Sequence, residues 1–286
     1  MNMVNIYYKI KMTNNDFSRL SSYIYSELGI KMPVEKKIML QSRLLKRLSE
    51  LEIASFSEYI DFVFSREGEK SEIYKMIDIV TTNKTDFFRE PAHFSFLTDT
   101  FLKNLNLQGS KKNTLKIWSA GCSSGEEAYT IAITLSEFMK SVPSLDYSIL
   151  ASDISIRILQ KASAAIYQSD RIKDIPIDLK KKYFLKSKDP LDKTVLVTKE
   201  LRSKVKFQRL NFMDSAYAVD KDFDIIFCRN VLIYFDHETQ QNVINKLTEK
   251  LKPGGIFFLG HSESITNMNV PLKQIKPTIF QKIQIQ

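Results

Sequence analysis

The sequence predicts an α/β fold: a doubly wound parallel sheet that follows an all-helical N-terminal domain and carries a small β-rich insertion. Three observations lead to this prediction. Residues 16–80 have apolar residues at helical spacing and no useful strand-like alternation. From residue 115 onward, short apolar runs alternate with amphipathic stretches, which is the pattern of successive strand–helix units. Residues 171–206 are rich in lysine and interrupt this alternation.

Short amphipathic helices are predicted before residue 81. Asp16 is the predicted cap of the first helix, and Gly29 is expected to end it, since glycine readily adopts the left-handed conformation there. Ser55 and Glu58 form a capping-box pattern at the start of a later helix. The predicted apolar stripes are Phe17, Leu20, Ile24 and Leu28; Val34, Ile38, Leu45 and Leu48; Phe56, Tyr59, Ile60 and Val63; and Ile73, Ile77 and Val80.

The α/β part is predicted to begin with a helix at Pro91, a residue that fits the first turn of a helix. The run at residues 223–228 is almost wholly apolar, as expected for a strand buried on both faces of a parallel sheet. Pro253 and the glycines after it are expected to stop a helix and turn the chain into a buried strand. The predicted strands are 115–118, 147–151, 223–228 and 256–259, and the predicted helices are 124–139, 155–163 and 237–251.

Composition limits the possible classes of protein. The chain has 286 residues, 43% of them hydrophobic and 26% charged, which is typical of a globular protein. No apolar run approaches the ~18 residues of a membrane span, and the N-terminus lacks the apolar core of a secretory signal. Cys122 and Cys228 are the only cysteines and do not have metal-binding spacing. A cytoplasmic, reduced and metal-free protein is therefore expected.

The net charge of +9 is concentrated in two stretches, residues 31–47 and residues 171–206. Basic patches of this kind favour an acidic macromolecular partner: nucleic acid, an anionic membrane or an acidic protein surface. The alternative is that these lysines and arginines are ordinary solvated side chains.

A glycine-containing loop follows the first predicted strand. Gly121 and Gly125 allow a tight turn and a close approach to a ligand at the carboxyl end of the strand. The loop is neither G-x-G-x-x-G nor a P-loop, and Glu126 and Glu127 at the helix start would repel a pyrophosphate. They suit a cationic ligand such as S-adenosylmethionine, which carries a sulfonium and an ammonium group. The alternative is a strand–helix turn that only needs small residues.

Polar residues also end two further strands. Asp153 follows the second strand, where a carboxylate can accept both hydroxyls of a ribose; alternatively it caps the next helix. Arg229 and Asn230 follow the strand 223–228, and Tyr234 lies in the loop after them. These side chains are well placed for a ligand, although Tyr234 and its neighbour Phe235 could simply cover the edge of the sheet.

Residues 82–90, here called the interdomain segment, lie between the helical and α/β parts and combine small polar residues, two phenylalanines and an arginine. With the other motifs, this segment resembles the chemotaxis receptor methyltransferases, enzymes that use S-adenosylmethionine to esterify glutamates of bacterial chemoreceptors. The resemblance covers nearly the whole chain. It rests on residues 82–90, 118–127, 151–153, 227–235 and 260–263 and on the pair Asn211-Phe212.

The resemblance implies a Rossmann-like methyltransferase sheet and a set of site residues. Arg89 and Tyr234 resemble the family's pair beside the transferred methyl group. The cofactor, whose product is S-adenosylhomocysteine, would be bound by Asn83, Thr85, Arg89, Gly121, Glu127, Asp153, Asn211, Phe212, Arg229 and Asn230. At least one of Phe87 and Phe88 is expected to be buried packing instead of a ligand contact.

The implied reaction is an in-line transfer of a methyl group to a glutamate oxygen. A glutamate carboxylate, whose ordinary pKa is about 4.3, is ionised at neutral pH, so no general base is required. This agrees with the absence of an evident His/Asp pair. None of the three histidines, His93, His237 and His261, is assigned a catalytic role, and no metal site is expected.

Domains and partners follow from the same resemblance. A helical substrate-recognition domain is expected at residues 1–85 and the methyltransferase domain at 86–286, with the insertion at about 171–206. A monomer is expected, recruited from the cytoplasm to membrane chemoreceptor arrays. The insertion resembles a subdomain that docks a receptor C-terminal peptide in some relatives, but its loop lacks the glycines that those relatives carry. The acidic helical region of the receptors would meet a basic helix through Lys36, Lys37, Arg43, Lys46 and Arg47.

Other functional classes remain open from the sequence. An RNA methyltransferase would share the sheet, the glycine loop and the basic charge, but the motifs of target-base chemistry are absent and nucleic acid is not expected. A cofactor-binding signalling module without activity is a second alternative. A dehydrogenase is disfavoured by the two glutamates of the glycine loop.

Overall fold

The computed structural model describes residues 10–105 and 113–283. The N-terminal part is helical, with bounds α1 Asn14–Leu28, α2 Lys37–Glu50, α3 Phe56–Val63 and α4 Gly68–Val80. A short 3-10 turn, Val34–Lys36, precedes α2. The four helices share one apolar core, to which α1 contributes Leu20 and Ile24 and α2 contributes Leu40 and Leu44. None of the described helices is long and apolar enough to cross a membrane.

Two details of the helical domain differ from the sequence prediction. Thr13, not Asp16, is the N-cap of α1; Asp16 completes a capping box by accepting the Thr13 backbone N–H at 2.9 Å. The predicted stripe of α2 was wrong in its register. Leu40, Leu44 and Leu48 are buried, whereas Val34 and Ile38 are 63% and 78% exposed.

The α/β part contains a sheet of seven strands, numbered in chain order: β1 Asn113–Ala120, β2 Leu145–Asp153, β6 Val205–Arg209, β7 Phe223–Cys228, β8 Leu251–Leu259, β9 Leu272–Lys276 and β10 Ile279–Lys282. Their order in the sheet is β6-β2-β1-β7-β8-β10-β9; neighbours from β6 to β8 are parallel, and β10 and β9 pair antiparallel. The helices are α5 Ala92–Phe96, α6 Glu126–Met139, α7 Ile156–Ala164, α8 Ile177–Tyr183, α9 Lys199–Arg202 and α10 His237–Glu249.

Helices cover both faces of this sheet. One apolar core contains residues of α5 and α6, and the other contains residues of α10. The predicted doubly wound α/β fold with a helical N-terminal domain is therefore confirmed. The strand order reverses at β1, because the chain continues to β2 on one side of β1 and to β7 on the other. Ligands of such sheets bind at the carboxyl ends of the strands near this point.

A small antiparallel sheet, of order β3-β5-β4, forms the β-rich insertion. Its strands are β3 Ile166–Gln168, β4 Phe184–Lys186 and β5 Thr194–Val197. β3 precedes the stretch expected for the insertion, residues 171–206, and β6, which begins at the end of that stretch, belongs to the main sheet. The small sheet packs against the interdomain segment, since the Phe87 ring makes edge contacts with Tyr167 at 5.0 Å and Phe184 at 5.4 Å.

Strand β8 begins at Leu251, five residues before the predicted strand start at Ile256. Leu251 already pairs with Phe223, and the register then shifts so that Ile256 pairs with Ile225. Pro253 and Gly254 therefore lie in an irregularity within the strand, where a residue without an N–H and a residue with φ of +77° are tolerated. The hairpin of β9 and β10 had no counterpart in the sequence prediction.

Candidate active site

A cavity of about 330 Å³ lies at the carboxyl ends of β1, β2 and β7, where the helical domain meets the sheet. The sheet side and the interdomain segment contribute every site residue that the sequence predicted: Asn83, Thr85, Arg89, Gly121, Glu127, Asp153, Asn211, Phe212, Arg229, Asn230 and Tyr234. Leu28, Lys36 and Met39 line it from the helical domain. Residues from distant parts of the sequence are thus brought to one place by the topology of the sheet.

Gly121 lets the loop after β1 pack tightly against the loop that follows β7. Its φ is +83°, and an added Cβ would lie 2.4 Å from Val231 Cγ2. The backbone N–H groups of Gly121 and Cys122 both donate to the Ser152 carbonyl oxygen, at 2.8 and 2.9 Å. The loop is therefore fixed to the end of β2, and its glycine is required both for conformation and for space.

Two carboxylates of the cavity are partly buried on the sheet side. Glu127 accepts from Ser119 Oγ at 2.7 Å and from Arg229 Nη1 at 3.3 Å, and burial raises its pKa above the ordinary value although Arg229 opposes the shift. Asp153 accepts the backbone N–H groups of Ser123 at 2.9 Å and Ser155 at 3.0 Å. Burial raises the pKa of Asp153 too, against these two hydrogen bonds.

The helix cap and the cavity acceptor turn out to be different residues. Ser155 caps α7 by accepting from the Ile158 N–H, while Asp153 braces the Ser155 backbone and lines the cavity. Of the two glutamates at the start of α6, only Glu127 lines the cavity. Glu126 instead pairs with Arg171 at 2.8 Å.

Arg229 is the buried cation of the site. Its guanidinium donates to Glu90 Oε2 at 3.0 Å, to Glu127 Oε2 at 3.3 Å and to the carbonyl oxygen of Arg89. Burial opposes ionisation of Glu90, but Arg229 and Asn230 hold the pKa of Glu90 below its ordinary value. A salt-bridged cluster of this kind orients its members because every charge has a partner.

Glu90 and Glu263 organise the site although the sequence prediction gave neither a role. Glu263 is buried, and its two oxygens accept four backbone N–H groups, from Asn230, Val231, Leu232 and Gly260, at 2.6–2.9 Å. The loop after β7 is thereby fixed to the end of β8. The signal was present in the sequence, since Glu90 ends the interdomain motif and Glu263 ends the motif at residues 260–263.

The interdomain segment is bound mainly through its backbone. Ser123 Oγ donates to the Asn83 carbonyl oxygen at 3.0 Å, and Arg171 donates to the Thr85 carbonyl oxygen. Arg89 Nη1 donates to the Lys84 carbonyl oxygen at 3.3 Å, which holds one side of the guanidinium. The side chains of Asn83, Thr85 and Arg89 lie along the cavity wall as a result.

The remaining predicted residues lie where the two domains meet. Asn211 Nδ2 donates to the Glu27 carbonyl oxygen at 2.7 Å, and its Oδ1 accepts the Met213 N–H at 3.0 Å. The Tyr234 carbonyl oxygen accepts the Lys31 N–H at 2.9 Å. Asn211 and Tyr234 therefore connect the helical domain to the sheet as well as lining the cavity.

Phe87 and Phe88 pack against the core and are not among the residues that line the cavity. No histidine is found among the lining residues of the described part of the chain.

The five basic residues expected to face a partner do not form one uniform surface. Arg43 donates to the carbonyl oxygen of Val80 at 2.7 Å. Arg47 forms a bidentate ion pair with buried Glu72, in which Nε and Nη2 each lie 2.6 Å from one carboxylate oxygen. These two arginines hold α2 against α4. Lys46 is 85% exposed, Lys37 donates to Asn14 Oδ1, and Lys36 lines the cavity.

Comparison with known families agrees with this architecture. The family described as "CheR methyltransferase, all-alpha domain" matches residues 15–81. The family described as "CheR methyltransferase, SAM binding domain" matches residues 83–280. The two matches meet at the start of the interdomain segment.

Curated relatives match over almost the full length of the chain. A "Chemotaxis protein methyltransferase" of Borreliella burgdorferi is 41% identical over 96% of this chain and 96% of its own. "Chemotaxis protein methyltransferase 2" of Pseudomonas aeruginosa is 35% identical over 94% and 93%, and an Escherichia coli "Chemotaxis protein methyltransferase" is 35% identical over 91% and 88%. With both of its domains matched, the chain belongs to the CheR family of chemotaxis methyltransferases and is an S-adenosylmethionine-dependent enzyme.

Proposed function

We propose that the chain esterifies glutamate side chains of bacterial chemoreceptors, with the cavity as its active site. The observation that carries this proposal is the composition of the cavity wall. Two partly buried acceptors, Glu127 and Asp153, lie on the sheet side, the guanidinium of Arg89 lies on the interdomain side, and the described lining includes no imidazole. This arrangement suits a cationic methyl donor and an anionic acceptor that needs no base.

The lining residues fit S-adenosylmethionine. Glu127 would hold the methionine end, where its carboxylate would face positive charge, and Asp153 would hold the ribose hydroxyls with the lone pairs that its two backbone contacts leave. The absence of a Cβ at Gly121 would let the ligand approach the loop backbone. Asn211 and Phe212 would border the adenine. When bound, the cofactor supplies a methyl group on a sulfonium sulfur, which leaves as the neutral thioether of S-adenosylhomocysteine.

Catalysis is assigned to positioning and electrostatics. The substrate carboxylate is ionised at neutral pH, so one of its oxygens would take the methyl group directly, in line with the carbon–sulfur bond that breaks and without a general base. Tyr234 would lie beside the transferred methyl group. Arg229 donates to Glu127, to Glu90 and to the Arg89 carbonyl oxygen. These contacts fix the orientation of Glu127 relative to the segment that carries Arg89.

Arg89 holds one oxygen of the substrate carboxylate. Because its Nη1 already donates to the Lys84 carbonyl oxygen, the remaining N–H groups make a one-sided contact that leaves the second carboxylate oxygen to react. The product ester is neutral, so the charge-assisted hydrogen bond to Arg89 weakens after transfer and favours release of the product.

The test is transfer of labelled methyl groups to receptor-enriched membranes, followed by release in mild base, which identifies an ester. Arg89→Ala should lower turnover by roughly 100-fold or more while S-adenosylmethionine still binds, and Arg89→Lys should recover part of the loss. Near-wild-type turnover in both variants would contradict the role of Arg89. Label that enters RNA, or cofactor binding without transfer to any receptor, would contradict the proposed function itself.

The receptor surface is proposed to lie on the 3-10 turn and the start of α2. Lys36 lines the cavity, and the nearby Val34 and Ile38 are 63% and 78% exposed, which gives an acidic helix both charges and apolar contacts. Ile38→Ser should raise the KM for receptor fragments without changing S-adenosylmethionine affinity. Lys46→Glu should raise that KM mainly at low salt. Ile283→Ser, at a 44% exposed position outside both proposed receptor contacts, is the matched control for Ile38→Ser.

The insertion offers a second contact for receptors that end in a flexible peptide. β4 is an edge strand of the small sheet, to which a peptide can add by backbone pairing. Its residue Leu185 is 53% exposed. If tethering operates, a receptor tail peptide binds the wild type and binds Leu185→Lys less well; a peptide that binds neither protein excludes tethering through β4.

A further inference from the structure

A carboxylate and two imidazoles meet beside Arg229 but outside the lining of the cavity. One oxygen of Glu90 and one ring nitrogen each from His93 and His261 lie within 4.8 Å of one another. Imidazole and carboxylate are the groups that bind Zn²⁺ and similar ions. We propose that Glu90, His93 and His261 form a binding site for a divalent transition-metal ion of the Zn²⁺ class.

Thr278 can hold the His93 ring in the orientation that a metal site needs. Its Oγ1 lies 2.8 Å from His93 Nε2 and can accept the Nε2 N–H while its own proton is directed at the Pro277 carbonyl oxygen, 2.7 Å away. In that tautomer Nδ1 presents a lone pair. Metal-binding histidines are commonly oriented in this way, by donating the other ring N–H to a neighbouring oxygen.

The Nδ1 lone pair faces a second acceptor. His93 is 1% exposed, its Nδ1 has no hydrogen-bond partner among the described residues, and Glu90 Oε2 lies 3.6 Å away. With the ring proton on Nε2, the Nδ1 lone pair and the Glu90 oxygen are two acceptors that face each other in a largely buried place. That arrangement is unfavourable, and a cation between them removes the penalty.

The spacing is close to that of a tetrahedral site. Metal–ligand bonds of about 2.0–2.1 Å place neighbouring ligand atoms about 3.4 Å apart. Glu90 Oε2 lies 3.6 Å from His93 Nδ1 and 3.9 Å from His261 Nε2. The two histidine nitrogens lie within 4.8 Å of each other, so rotation of the exposed His261 side chain would have to complete the third bond. The His261 side chain is 59% exposed, which gives an ion and a fourth ligand from solvent a route to the site.

The charges around the cluster have both signs. Arg229 donates to the same Glu90 oxygen at 3.0 Å and opposes a cation. Glu127 pairs with the same guanidinium at 3.3 Å, and Glu263 accepts the backbone N–H of Asn230, whose side chain contacts Glu90; both carboxylates favour a cation. A bound metal would compete with Arg229 for Glu90 Oε2. Because Arg229 also contacts Glu127 in the cavity, occupancy of the metal site should weaken cofactor binding.

The test uses full-length protein without a polyhistidine tag, kept reduced and titrated with Zn²⁺ against a chromophoric chelator. The wild type should bind one Zn²⁺. His261→Ala, at an exposed position where folding is not at risk, should bind it at least about 10-fold more weakly. His237→Ala is the matched control, because His237 is also exposed and lies outside the cluster. Co²⁺ should give the visible absorption of a tetrahedral site in the wild type and in His237→Ala only.

Equal Zn²⁺ affinity in the wild type and His261→Ala would overturn the proposal, as would an equal loss in His237→Ala. The link to the cavity has its own readout, the affinity for S-adenosylmethionine with and without Zn²⁺. Zn²⁺ should lower that affinity in the wild type and leave it unchanged in His261→Ala. This measurement does not depend on which molecule accepts the methyl group, so it separates the metal site from the proposed receptor substrate.

Discussion

Gly121→Ala is expected to destabilise the protein and to weaken cofactor binding, for two separable reasons. Gly121 has a φ of +83°, and a Cβ at this position would meet Val231 Cγ2 at 2.4 Å. The left-handed conformation costs a residue with a Cβ about 1–2 kcal/mol. Relief of the clash by movement of Val231 costs about 1–3 kcal/mol more. The free energy of unfolding should therefore fall by about 2–5 kcal/mol.

Two further variants separate these contributions. Gly254 has a similar φ of +77°, but the nearest atom to its added Cβ, Gln281 Nε2, is 3.9 Å away. Gly254→Ala should therefore lose only the conformational part. A double-mutant cycle with Val231→Ala isolates the cost of the clash. Because alanine at position 231 lacks the Cγ2 atom, the double variant should regain the stability that Gly121→Ala loses to the clash, a favourable coupling free energy of about 1–3 kcal/mol.

Urea denaturation measures the stabilities, and calorimetric titration measures affinity for S-adenosylmethionine. Val231 lines the cavity, so displacement of its side chain by Gly121→Ala should weaken cofactor binding, whereas Gly254→Ala should not. A loss of stability equal to that of Gly254→Ala, or additive effects in the cycle, would refute the clash as the reason for glycine at position 121.

Three other changes test the surrounding structure. Glu263→Gln places amide donors against backbone donors and should reduce the free energy of unfolding by about 2–4 kcal/mol, measured in urea. Arg47→Ala leaves buried Glu72 without its ion pair and should cost about 3–5 kcal/mol, whereas Lys46→Ala, at an 85% exposed position, should change stability by less than about 0.5 kcal/mol. Burial opposes ionisation of Glu137, but hydrogen bonds from two lysines and a tyrosine hold its pKa at about 2. Its stabilisation, about 1 kcal/mol after allowance for solvent screening, should be complete above pH 4.5 and be lost as the pH falls toward 2. Glu137→Gln should therefore flatten the acid limb of the stability–pH profile, and an unchanged limb would contradict the assignment.

The cavity could be predicted from the sequence because its polar residues end the strands of a parallel sheet. Residues such as Asp153 and Arg229 follow apolar runs directly, and the carboxyl ends of neighbouring parallel strands meet at one edge. The interdomain segment could be placed beside them only through the resemblance to a family. No local pattern shows that residues 82–90 return to β1.

Side-chain partners over long distances in the sequence were beyond prediction. Arg47 and Lys46 are adjacent in a basic stretch, yet Arg47 forms an ion pair with a buried glutamate of α4, whereas the Lys46 side chain is exposed to solvent. The choice depends on which face of α2 is buried, and Ile38 and Leu40 give competing apolar stripes at helical spacing. Glu90 is similar: its partners, Arg229 and Asn230, are more than a hundred residues away.

The contacts of the interdomain segment explain its composition. Its carbonyl oxygens at Asn83, Thr85 and Arg89 accept from Ser123, Arg171 and Arg229, three donors of the methyltransferase domain. A segment held by its backbone can turn polar side chains to the cavity while its two phenylalanines pack inward. Phe88 and Glu90 adopt left-handed conformations with φ of 54° and 57°, which side chains rarely do unless their surroundings hold them. The buried guanidinium of Arg229 is one such restraint, because it bonds both to the Arg89 carbonyl oxygen and to the Glu90 carboxylate. Loss of the Arg229 side chain should therefore free the end of the interdomain segment, so that Arg89 is no longer held in place at the cavity.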